Sequence, residues 1–198
     1  MSFFLLMAVA LLIIKDFHAW EPLGFCFIAY TFAVIESPRS MDGGKTWQPT
    51  IDINSDVHEV RAHQSDPDIV VAASAIGLCI SRDGGATWII ERDGLHASYC
   101  SAVAFSGDGI FVSASTDHFA AQGRIYRRPI RPAGDIVAVE GGLPTWINGI
   151  ADTGCIAANG SSIAVADRAG NLYGSDDFGR AWSCRSTKLP TPSGVLIC

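Results

Sequence analysis

Ser40–Trp47 reads SMDGGKTW and Ser81–Trp88 reads SRDGGATW, identical at six of eight positions: Ser, Asp, Gly, Gly, Thr and Trp. A third segment, Ser175–Trp182, reads SDDFGRAW and keeps the Ser, the Asp, the second Gly and the Trp. The first two segments start 41 residues apart and the second and third 94 apart, which is two steps of 47 with one copy replaced. Self-similarity at such a step is the mark of a repeat architecture.

The replaced unit is located by other shared text. Gly77, Gly123 and Gly170 open the related tetrads Gly-Leu-Cys-Ile, Gly-Arg-Ile-Tyr and Gly-Asn-Leu-Tyr, at spacings of 46 and 47 residues. Ahead of these glycines lie the β-rich runs 69–74, 110–115 and 163–167. Further upstream lie 57–63, 100–105 and 155–158. Each unit therefore reads as several short strands separated by Gly, Asp, Ser and Pro turns. In the middle unit, Arg-Pro-Ile-Arg-Pro at 128–132 stands where the motif is expected.

The motif itself reads as a tight hairpin loop. Asp42 or Asp83 accepts backbone N–H groups across the turn. The paired glycines (Gly44 and Gly85 second in each) permit positive φ without a Cβ clash. The hydroxyls of Ser40, Thr46, Ser81 and Thr87 satisfy further turn groups, and Trp47 or Trp88 covers the hairpin base with a large ring. Asp177, Gly179 and Trp182 with Ser175 do the same with fewer donors. No nucleophile stands beside a base and no metal-ligand spacing occurs, so this is a folding device.

These segments resemble Asp-boxes, the bacterial neuraminidase repeats found in sialidases, sortilin-type receptors, photosystem assembly factors and some cellulose- and xyloglucan-active enzymes. The resemblance covers residues 40–182. It implies an all-β fold, a β-propeller of four-stranded blades with the boxes on outer hairpins away from the axis. It implies a fold rather than an activity, because the boxes lie away from the active sites of those families. At about 45 residues per unit, residues 37–198 supply some three and a half blades, against the four to eight of a closed propeller. An incomplete propeller with open, association-prone blade edges is therefore expected. Pro38 interrupts the strand expected before the first box, since proline removes a ladder donor.

Sialidase activity makes further demands: three arginines around a carboxylate, a Tyr–Glu nucleophilic pair, an acidic Asp and an early Arg-Ile-Pro. The nearest text, Arg127-Arg-Pro-Ile130, has the wrong order, and Glu59, Glu91 and Glu140 show no pairing with Tyr99, Tyr126 or Tyr173. Any other glycoside hydrolase needs two carboxylates about 5–9.5 Å apart. Propeller pockets are lined by innermost strands and the loops leading into them, which nominates Asp56, Glu59 and Asp152, with His58, Arg61 and Tyr99 nearby. The plainer reading makes Asp56 and Asp152 turn residues, and Glu59 with Arg61 a solvated cross-strand pair.

Composition limits the partners. Fourteen Lys and Arg against twenty Asp and Glu give a net charge of −6, which argues against a nucleic-acid binder needing clustered cations. Arg124, Arg127, Arg128 and Arg131 form the one basic cluster, read as a solvated outer strand. The five histidines show no recurring ligand pair and the six cysteines no CxxC, so no metal and no cofactor are expected. Cys100 and Cys155 begin equivalent inner strands and could meet, but free buried thiols fit better.

Residues 1–36 differ from the rest: Phe3–Ile14 and 23–35 are apolar, too short to span a bilayer alone. They read as a degenerate export or membrane-associating segment, as a buried strand pair, or as a segment foreign to the fold. Localisation follows that choice, cytoplasmic if the segment is not a working signal and exported or membrane-associated if it is. The sequence thus points to an Asp-box propeller domain at 37–198 that binds protein or glycan. A sialidase-like, possibly truncated glycoside hydrolase and an inactive fragment are the alternatives.

Overall fold

A computed structural model describes residues 38–51 and 55–198. The apolar segment 1–36, with Cys26, lies outside the described residues. Their architecture is all-β. Strands β1 (Pro38–Arg39) and β2 (Gln48–Pro49) form a two-stranded antiparallel ladder, Pro38 opposite Pro49. The strand expected before the first box is thus present but reduced to two residues, starting at the proline itself.

The first full blade is an antiparallel meander of β3 (Val57–Ala62), β4 (Val70–Ser74), β5 (Gly77–Ser81) and β6 (Ile89–Glu91). The second runs β7 (Tyr99–Ser106), β8 (Gly109–Ser115) and β9 (Gln122–Pro129). Its outer edge is split into β10 (Val137–Ala138) and β11 (Ile147–Asn148), both pairing with β9. The third is β12 (Ile156–Asn159), β13 (Ser162–Ala166), β14 (Leu172–Ser175) and β15 (Ser183–Ser186). The described residues therefore form an incomplete β-propeller of three four-stranded blades and part of another.

The sheets bury both faces against one another. Val71, Leu78, Ile110, Val112 and Tyr126 fill the layer between the first and second blades. Phe111, Ile125, Ile156, Val165 and Trp182 fill the layer between the second and third. Strands buried on both faces read as continuous apolar runs, which is why Val70–Ser74 and Gly109–Ser115 are buried along their whole length.

The three repeated segments adopt one geometry. Each spans the turn between the third and fourth strands of its unit, or between β1 and β2 for the first. Asp83 Oδ1 accepts the N–H groups of Ala86 and Thr87 at 3.0 and 2.8 Å, and Oδ2 accepts the Thr87 hydroxyl at 2.6 Å. Ser81 Oγ accepts the N–H of Gly85 at 2.8 Å. Gly84 and Gly85 sit at φ +66° and +83°, the left-handed region where glycine costs nothing. Asp42 repeats the pattern and Asp177 repeats it without the hydroxyl bond to Oδ2; these bonds hold Asp42 down at about 2 and Asp83 and Asp177 below the usual carboxylate range. In the third segment Phe178 replaces the first glycine at φ +61°.

The tryptophans do more than cap their own hairpins. Each indole donates to the carbonyl of its own second glycine, Gly44, Gly85 or Gly179, at 3.0–3.2 Å. Trp88 also donates to Thr50 Oγ1 at 3.1 Å, just beyond β2. Trp182 packs edge-on to Phe111 of the second blade, and its backbone N–H donates to Gly141 at 2.7 Å. The loop 139–146, which splits the second blade's outer strand, is thereby seated on the third box.

Two expectations need correction. Glu59 and Arg61 are not a solvated cross-strand pair: both lie on β3, and the Glu59 side chain is 2% exposed. The arginine cluster is not a solvated outer strand either. β9 is covered by β10 and β11, and Arg128 is buried in a bidentate pair with Glu91 at 2.6 and 2.9 Å. Arg131 pairs with Asp66 and lies 3.7 Å from Asp108. Cys79, Cys100 and Cys155 are buried free thiols, whereas Cys184 and Cys198 are free and exposed.

Candidate functional site

In an antiparallel meander the connections alternate between two ends. The starts of β3, β7 and β12 therefore share one end of the blades with the β4–β5, β8–β9 and β13–β14 turns. The repeated boxes, between third and fourth strands, occupy the opposite end. Asp56, His58, Tyr99 and Asp152 fall at the strand-start end by this topology.

There the structure brings them together. The His58 ring lies 4.6 Å from the Tyr99 ring, and Tyr99 lies 6.4 Å from His118 in the β8–β9 turn. His58 Nδ1 is 2.7 Å from the Cys100 carbonyl oxygen. A carbonyl only accepts, so Nδ1 carries the proton, and Nε2 is left 3.4 Å from Asp56 Oδ2. Asp56 itself sits at φ +43°. Arg168, in the β13–β14 turn, donates to Asp152 Oδ2 at 3.0 Å and to the His118 carbonyl at 2.6 Å. The exposed Phe119 stacks edge-on to His118. Burial, then the nearby Asp56 and Asp152 carboxylates, push the Tyr99 hydroxyl above its ordinary value, so it stays a protonated donor.

Two β-bulges shape this end. The β3–β4 register shifts between Val57 and Glu59, and the β7–β8 register between Cys100 and Val103. Bulges re-aim side chains and free ladder groups. Val103, which follows the second bulge and keeps its register with Val112, donates its N–H to Glu59 Oε2 at 2.9 Å, and Gly154 N–H donates to the same oxygen at 3.3 Å. Arg61 donates to Oε1. Glu59 thus ties β3, β7 and the residues before β12 together, and burial raises its carboxyl above the ordinary value despite Arg61. Ser101 Oγ donates to the Ala151 carbonyl at 2.7 Å, closing the same network.

Of the sequence-nominated residues, Asp56, His58, Tyr99 and Asp152 gather at the accessible end, Glu59 is enclosed below them, and Arg61 serves Glu59. Asp117, His118, Phe119 and Arg168 were not nominated. They occupy equivalent second-to-third strand turns just before Gly123 and Gly170, so the repeat alignment holds a signal for them once the two ends are told apart. Among the described residues no group of three His, Cys, Asp or Glu could hold a metal ion, and no helix is long and apolar enough to cross a membrane.

No protein-family model and no curated protein sequence matches this chain. Solved structures do. An ancestral GH74 enzyme matches with a TM-score of 0.58 at 15% identity, over 76% of this chain and 21% of its own. The GH74 xyloglucanase from Xanthomonas campestris matches at 0.53 and 16%, over 74% and 26%. YCF48 bound to a D1 peptide matches at 0.51 and 16%, over 68% and 41%. All are β-propeller proteins. The likeness extends to the fold, and this chain spans well under half the length of each.

Proposed function

We propose that residues 37–198 belong to an Asp-box β-propeller that works by binding, with its ligand docking on the end where β3, β7 and β12 begin. The supporting observation is the cluster of Tyr99, His118 and exposed Phe119 beside Asp56, Asp152 and Arg168. Aromatic rings offer stacking area, and the carboxylates, guanidinium and phenol offer directed hydrogen bonds, the makeup of a recognition surface. The Ser–Asp–Gly–Trp hydrogen-bond pattern, repeated three times, supports the Asp-box assignment. A protein segment or a glycan suits these groups, and YCF48, one propeller of this fold, holds a D1 peptide in its solved structure. The open outer edges, with Ile89 64% and Val137 54% exposed, favour self-association.

A sialidase-like hydrolase is the second reading, favoured by the two carboxylates Asp56 and Asp152 that flank Tyr99. Against it, Glu59 has its oxygens engaged by two backbone N–H groups and Arg61. Screening the full chain on peptide and oligosaccharide arrays, alongside a reducing-end assay on xyloglucan and sialosides, separates the readings. Binding that weakens about tenfold or more in Tyr99→Ala, with unchanged thermal unfolding and no turnover, supports a binding module. Turnover abolished by Asp152→Asn would establish the hydrolase instead.

A further inference from the structure

Of the four clustered arginines, Arg128 has Glu91 and Arg131 has Asp66. Arg124 has no carboxylate: among the described residues none pairs with it, and its Nε is buried without a hydrogen-bond partner. In a chain of net charge −6 this is an unusual place to leave a cation unpaired. The guanidinium carbon instead lies 5.6 Å from the Trp146 ring centroid and 5.8 Å from that of Tyr126. His96 completes the surround, edge-on to Trp146 at 4.8 Å.

The ring of His96 is held in place by Tyr126. Tyr126 Oη accepts the His96 backbone N–H at 3.0 Å and lies 2.8 Å from Nδ1. The Tyr126 hydroxyl thus anchors both the backbone and the ring of His96. Burial and then Arg124 lower the His96 pKa, keeping the ring neutral. One cation beside flat aromatic rings, with Trp146 39% exposed, suits a single charge next to an apolar group better than a multivalent anion. The planar guanidinium fork takes a carboxylate or a phosphate bidentately, and the aromatic wall beside it favours an anion that carries an apolar group over a bare oxyanion. Arg127, whose Nε is also unpartnered, stacks on Phe111 alone.

We propose that Arg124, His96 and Trp146 form a binding site for a carboxylate carried next to an apolar group, the acid on Arg124 and the apolar part on Trp146. The site stands on Arg124's surroundings and is independent of the reading of the Tyr99 face.

The probe is phenylacetate, titrated into the full-length protein while the Trp146 indole N–H resonance, assigned with Trp146→Phe, is followed by NMR. Saturable movement of that resonance is expected, with phenylacetamide, which has the same shape without the charge, weaker by about tenfold or more. Arg124→Gln is expected to lose the response to phenylacetate. Should that variant not fold, the acid-against-amide comparison on the unaltered protein still decides. Equal binding of acid and amide, an unmoved Trp146 resonance, or inorganic phosphate competing as well as phenylacetate would overturn the assignment.

Discussion

Glu59, on the innermost strand of one blade, accepts the backbone N–H of Val103 on the innermost strand of the next at 2.9 Å. Val103 follows the β7 bulge and stays in register with Val112 on its own sheet, and Gly154, just before β12, donates to the same oxygen. Its pH dependence has a definite sign. The folded pKa of Glu59 is raised, so its stabilising contribution is complete below the unfolded value, about 4.3, and declines as pH rises through the folded pKa. Urea unfolding of Glu59→Gln is expected to lack that decline above about pH 4.5, since glutamine keeps a carbonyl acceptor for both N–H groups. Glu59→Ala, which orphans them, is expected to cost about 2–4 kcal/mol.

Trp182 is 7% exposed and packed on Phe111, whereas Trp47 is 42% exposed. Trp182→Ala is expected to destabilise by about 3–5 kcal/mol, and Trp47→Ala by less than half as much. Equal losses in chemical denaturation would show that the ring acts within its own hairpin and not between blades.

Gly141 lies at φ +79°, and a Cβ there would stand 2.1 Å from the backbone oxygen of Arg180. Gly141→Ala must therefore shift the third box or the loop on it, at a cost of about 2–3 kcal/mol or more. A drop in Tm accompanied by a rise in Trp182 fluorescence accessibility to quencher would locate the damage at this seam.

Ala181 stands where the first two boxes carry Thr46 and Thr87, whose hydroxyls donate to Asp42 and Asp83. Ala181→Thr supplies the missing donor, so the Asp177 pKa is expected to fall further. A depressed carboxylate stabilises above its unfolded pKa and loses that contribution as pH falls through the folded value. The variant should thus unfold at lower pH than the parent in an acid titration, with the Asp177 carboxyl shift followed by NMR.

The box text made the repeat and the strand order readable, because hairpin chemistry is local: Asp83 bonds to residues three and four positions on. The innermost strands were also readable from their place in each repeat, and with them Asp56, His58, Tyr99 and Asp152. The role of Glu59 was not, because nothing near it in sequence records its partner Val103, 44 residues away. Nor did the run Arg124–Arg131 show which cation is matched: Arg128 meets Glu91 only because the first two blades stack.

By itself, then, the sequence determined the all-β repeat, the hairpin turns and the residues that begin each inner strand, since turn hydrogen bonds and alternation act within a few residues. Only the tertiary structure decided which carboxylate is enclosed, which tryptophan joins two blades and which arginine is left without an anion. Those outcomes depend on desolvation and partnering between sheets, and both are set by how the blades pack rather than by neighbours along the chain.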